Sequence, residues 1–68
     1  MTKPLVKRPD GKHEEVLGEF WVAEYAENPD TGLWEVDVMK HDVPEWRSIN
    51  YDSLEDARQA AHEYYEQV

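Results

Sequence analysis

The stretch that decides the fold is Leu33-Trp34-Glu35-Val36-Asp37-Val38-Met39-Lys40. Trp34, Val36 and Val38 share one parity and Glu35 and Asp37 the other, the period of a strand with one dry face and one acidic face. Immediately before it, Asn28, Pro29, Asp30, Thr31 and Gly32 form a turn signal. Proline presets the first turn position, Asp bonds locally, and Gly accepts the positive φ that re-entry into a strand needs. A hairpin is therefore predicted, and residues 16–26 supply its other arm. They are rich in aromatic and β-branched residues, with Val16, Phe20 and Val22 on one parity and Leu17, Trp21, Ala23 and Tyr25 on the other.

Beyond the central stretch, Pro44 interrupts the pattern within residues 41–45, and residues 46–51 read as a short third strand with Ile49 and Tyr51 pointing inward. The last segment reads as a helix. Asp52 or Ser53 can cap it, Glu55 and Asp56 suit its positive end, and Leu54, Ala57, Ala61, Tyr64 and Val68 recur at spacings of three and four. Arg58, Gln59, His62, Glu63 and Glu66 fall on the side expected to face water. The predicted fold class is α+β: a three-stranded antiparallel sheet with one C-terminal helix packed on one face. Trp34, Val36, Val38, Phe20, Val22, Ile49 and Leu54 are its expected core.

Upstream, residues 1–12 contain Pro4, Pro9 and Gly11 with basic residues between them, and they show no period a helix or strand could use. They read as a flexible basic arm on a single domain of residues 13–68. The chain has 68 residues, too few for two domains or a large catalytic core. Without cysteine it has neither a disulfide nor a cysteine-ligated zinc to staple it. The absence of a long apolar run argues against a membrane span or a secretory leader, and a cytoplasmic setting is expected.

Charge is unevenly placed. Residues 1–12 carry Lys3, Lys7, Arg8 and Lys12 against Asp10, a net +3, whereas the other 56 residues hold 15 acids against Lys40, Arg47 and Arg58, a net −12. Such a body repels nucleic acid and anionic membrane and attracts cationic surfaces. The sheet face away from the helix is expected to carry Glu19, Trp21, Glu24, Tyr25, Glu35, Asp37 and Met39, with Leu33 beside them. Large apolar groups interleaved with acids are what a protein interface looks like, so these seven are the candidate partner-binding residues. Coverage by the arm and a homodimer are the alternative ways to bury that face.

Catalytic readings lack the groups they need. His13, His41 and His62 are dispersed and have no metal-helix spacing. Ser48 and Ser53 fit a strand position and a helix cap, and Gly11, Gly18 and Gly32 do not form a phosphate loop. A small sheet with one helix offers little volume for a carboxylate pair with separated pKa values. A non-enzyme with no metal and no cofactor is expected.

Three resemblances follow from these motifs. Strand order, Trp46 and the helix opening Ser53-Leu54-Glu55-Asp56-Ala57-Arg58-Gln59-Ala60-Ala61 resemble the three-stranded DNA-binding domains of plant ethylene-response factors and recombinase arm-binding domains. Those families read DNA with basic residues on the open sheet face, where this chain has Glu19, Glu24, Glu35 and Asp37, so direct DNA binding is not expected. Leu33-Trp34 and Val43-Pro44-Glu45-Trp46 are similar to the two tryptophan motifs of MbtH-like proteins, which implies a chaperone or activator of an adenylation enzyme. In size, acidity and lack of cysteine the chain resembles phage-encoded inhibitors, including anti-CRISPR proteins and other DNA mimics. That likeness implies a viral or mobile-element protein that blocks a nucleic-acid-binding bacterial complex, with a basic protein surface as its partner. A structural homo-oligomer is the remaining alternative.

Overall fold

The computed structural model describes residues 5–68. The protein is α+β: an antiparallel sheet followed by one C-terminal helix. The strands are β1 (Val6–Lys7), β2 (His13–Val16), β3 (Trp21–Glu27), β4 (Trp34–Lys40) and β5 (Val43–Tyr51), and the helix is α1 (Leu54–Glu66). The sheet has five strands in the order β1-β2-β3-β4-β5, every neighbour antiparallel, rather than the three expected. The two additional strands are short and polar, so they carry no hydrophobic period. They form because β3 offers an unpaired edge whose backbone groups must be satisfied.

Part of the expected arm is thereby built into the sheet. Residues 1–4 lie outside the described residues, but Val6 and Lys7 pair with Glu14 and His13. The turn between them closes through Arg8 and Lys12, with Gly11 at φ 90°. Arg8 then reaches across the sheet to Glu24, with Glu14 at 3.9 Å.

The β3–β4 hairpin forms as the turn residues predict. The Asp30 N–H donates to the Asn28 side chain, the Gly32 N–H to the Asn28 carbonyl, and Gly32 takes φ 74°. The next hairpin is tighter than expected. His41 and Asp42 alone form its loop, both at positive φ, which is the geometry that matches the twist of flanking strands. Strand β5 therefore starts at Val43 and accommodates Pro44 because it is an edge strand.

Two register shifts mark β5, one between Trp46 and Pro44 and one between Tyr51 and Ser48, each adding a residue to β5 relative to β4. An extra residue inverts the alternation beyond it. Trp46 and Tyr51, of opposite parity in sequence, consequently both pack toward the helix, while Ile49 is exposed. This corrects the expected core position of Ile49.

Cross-strand pairing lays the inner residues in rows. Glu15, Ala23, Val38 and Trp46 form one row, and His13, Tyr25, Val36 and Ser48 the next. Ala23, Tyr25, Val36 and Val38 are fully buried there against Ala57 and Ala61 of α1, whose small side chains bring the helix close. Ser53 caps α1 by accepting from the Asp56 N–H at 3.2 Å. Strand β3 thus presents Trp21, Ala23 and Tyr25 to the core, whereas Phe20 is exposed and Val22 lies on the outer face. The expected parity is reversed because the inward set is chosen by what fits under a close helix. Two small residues beside Tyr25 and Trp21 fill that space.

Candidate protein-binding surfaces

The outer sheet face, open to solvent, also has its residues in rows. Glu14, Glu24, Asp37 and Arg47 align across four strands, and Val16, Val22, Met39 and Pro44 align beside them. Glu24 stands directly opposite Asp37, a like-charge pairing that opposes sheet formation. Arginines flank it on both sides: Arg8 hydrogen-bonds Glu24, and Arg47 bonds Glu35 at 3.0 Å with Asp37 at 3.5 Å. Much of the carboxylate charge on this face is therefore balanced within the molecule.

The seven candidate binding residues are divided by this geometry. Glu24, Glu35, Asp37 and Met39 do share the outer face. Trp21 and Tyr25 do not; they point to the helix, Tyr25 entirely buried and Trp21 edge-on to Tyr64 and Tyr65. Glu19 is exposed in the loop before β3. The aromatic anchors are thus removed from the acidic face, where Phe20 stacks on His41 at its margin, ring centroids 4.3 Å apart.

Beneath the helix lies a buried carboxylate that sequence reading missed. Glu15 is 1% exposed and accepts from the Tyr25 hydroxyl at 2.7 Å and from Arg58 at 2.9 Å, with His62 Nε2 at 3.0 Å. Burial pushes its carboxyl pKa up, but the hydrogen bonds from Arg58, Tyr25 and His62 outweigh burial and hold it below the usual range. Burial, and then the bond to Glu15, push the Tyr25 phenol up. Arg58 and His62, expected to face water, instead turn inward to this anion. The only available signal was an arginine and a histidine one turn apart beside the buried alanines. The three histidines remain apart, and among the described residues no three His, Asp or Glu side chains gather as a metal site requires.

Arg58 bonds Glu15 through one nitrogen and lies 3.4 Å from Glu55 through the other, and the remaining charges on the solvent side of α1 are acidic. At about 100° per residue, Glu55, Asp56, Gln59, Glu63 and Glu66 fall in one stripe, with Asp52 just ahead of it. Asp52, Glu55 and Asp56 favour the positive end of the helix, but Glu63 and Glu66 sit toward its negative end, and the last turn has no basic residue. The helix dipole does not account for that placement.

Two grooves contain aromatic rings, one at the end of the sheet beside the β1–β2 turn and one against the helix. One, of about 550 Å³, is lined by Lys7, Lys12, His13 and Trp34 with Asp10 and Glu27, so its charges cancel. The other, of about 260 Å³, lies between β5 and α1 and is lined by Trp46, Tyr51, Ala60, Glu63, Tyr64 and Gln67. Trp46 and Tyr64 stack within it, centroids 4.8 Å apart and 9° from parallel. The helix of 13 residues is not long and apolar enough to cross a membrane. Comparison with protein-family models, with curated proteins and with solved structures finds no match.

Proposed function

We propose that this protein is a non-catalytic binding module that occupies a cationic, nucleic-acid-binding surface of a partner protein and so blocks it. The observation that carries the reading is the acidic stripe on α1, where five carboxylates from Asp52 to Glu66 face solvent and the neighbouring arginine, Arg58, is bonded to Glu15 at 2.9 Å and reaches one of them, Glu55, at 3.4 Å. The stripe is about 16 Å long from Glu55 to Glu66 at about 1.5 Å per residue, close to the rise of five nucleotides at about 3.4 Å each. Its carboxylates can stand where phosphates would lie in a lysine- and arginine-lined channel. The outer sheet face has a secondary part, because Arg8 and Arg47 pair with Glu24, Glu35 and Asp37 there and offset two of those three charges. Bacterial nucleic-acid complexes of the kind that phage inhibitors block have the required target chemistry.

The test is capture from nuclease-treated bacterial lysate on the immobilised protein, in parallel with a Glu55→Lys, Glu63→Lys variant. Nucleic-acid-binding proteins retained by the native chain, released by a duplex oligonucleotide and absent from the variant, would support the reading. Retention of an adenylation enzyme, or of proteins that neither the oligonucleotide nor the charge reversals displace, would overturn it.

A further inference from the structure

Resting on the reading of the protein as a binder of cationic surfaces, we infer that the groove between β5 and α1 is a seat for a single arginine side chain from the partner. Three aromatic rings, from Trp46, Tyr51 and Tyr64, line it together with one carboxylate, Glu63, and the small Ala60 leaves it room. Aromatic rings attract a cation through their quadrupole, and a guanidinium also stacks on them as a plane. A carboxylate beside those rings completes the recognition, because it can take two parallel N–H bonds from the guanidinium fork.

Glu63 has the capacity to do so. Among the described residues it forms no ion pair, and its one hydrogen bond is accepted from the Gln59 amide at 3.3 Å. The same aromatic cluster already holds one cation elsewhere: the Lys40 ammonium lies 5.4 Å from the Trp21 ring centroid. The side nearer Glu63 has aromatic rings and a negative charge but, among the described residues, no cation in its lining. Gln67 at the rim adds an amide oxygen that can accept a further guanidinium N–H. Within an acidic stripe that attracts basic surfaces in general, this groove would fix where one arginine goes, adding the register that charge alone does not specify.

The probe is a blocked Gly-Gly-Arg-Gly-Gly peptide, titrated while the indole N–H resonances of the three tryptophans and the backbone amides are followed by NMR. Its citrulline analogue keeps the shape and removes the charge. The expected result is a saturable shift confined to the Trp46 indole, with affinity at least fivefold weaker for the citrulline peptide and for the Glu63→Gln protein. Glu63 is exposed, so that variant is expected to fold, and an unchanged melting temperature verifies it. An unmoved Trp46 signal, equal binding of citrulline, or no effect of Glu63→Gln would overturn the arginine seat. Shifts of the Glu55 and Asp56 amides alone would leave the acidic stripe standing without the groove, whereas a Trp46 shift alongside failed lysate capture would leave the groove without the proposed function.

Discussion

The Tyr25 hydroxyl donates a 2.7 Å hydrogen bond to the carboxylate of Glu15, and both side chains are almost completely shielded from water. This bond joins β2 to β3 diagonally between neighbouring rows, and Arg58 joins the same carboxylate to the helix. Three elements therefore meet at one anion. Removing it leaves Arg58 without its buried partner and Tyr25 without an acceptor. Glu15→Ala is expected to cost about 2–3 kcal/mol, less than the roughly 3–5 of a fully buried pair because Arg58 can turn toward water. Chemical denaturation measures this directly, and a loss under about 0.5 kcal/mol, the range of an ordinary surface substitution, would contradict it.

The depressed Glu15 pKa gives the stability a pH dependence of definite sign. A carboxyl held below its unfolded value binds fewer protons in the folded chain, so its stabilisation is complete above about 4.5 and is lost as pH falls through the folded value. The difference in melting temperature between native protein and Glu15→Gln is expected to be largest near neutrality and to narrow on acidification below about pH 4.5. A difference that widens in acid would show the opposite sign.

At the alkaline end, Tyr25 retains its proton beyond the pH, about 10, at which a free phenol ionises. A raised phenol pKa stabilises the fold below the unfolded value and is lost as pH rises above it. Spectroscopic titration of tyrosinate should contain a late component that coincides with unfolding and disappears in Tyr25→Phe. Persistence of that component in the variant would assign it to another tyrosine.

Gly18 lies under the Tyr65 ring so closely that a Cβ there would come within 2.0 Å of its hydroxyl oxygen and 2.8 Å of a ring carbon. Gly18→Ala is therefore expected to destabilise by about 1–2 kcal/mol, as overpacking does, by forcing Tyr65 off Trp21. In a Tyr65→Ala background the same substitution should cost much less, and a double-mutant cycle measures the coupling. Additive effects would show that the clash is not the cause.

In the two-residue loop between β4 and β5, His41 and Asp42 both adopt positive φ, which side chains with a Cβ disfavour. Replacing them with Asn-Gly is expected to stabilise the protein by about 0.5–1 kcal/mol, although it removes the Phe20–His41 stack. Thermal unfolding gives the sign, and a lower melting temperature would mean that the stack outweighs the backbone gain.

The Ser53 cap supplies a local test. Ser53→Ala removes the acceptor for the Asp56 N–H and should cost about 1 kcal/mol, while Ser53→Asp should keep most of the stability. Equal losses for both would imply that packing rather than capping holds the first helical turn.

Local chemistry in the sequence determined the β3–β4 hairpin, the alternation of β4 and the helix with its Ser53 cap. Each depends on residues a few positions apart: a proline and glycine at a turn, a period of two, a capping side chain ahead of its amides. Tertiary structure alone decided the rest. Strands β1 and β2 exist because an exposed edge of β3 recruits polar chain that has no period of its own. The facing of β3 depends on the fit of Ala23 beneath α1, since apolar groups on both parities left the sequence without a preference. Bulges in β5 move Tyr51 onto the face of Trp46, and no alternation rule anticipates an extra residue. Arg58 turns from solvent to Glu15, 43 positions away, because a buried carboxylate requires a partner, and that pairing leaves the outer stripe of α1 acidic.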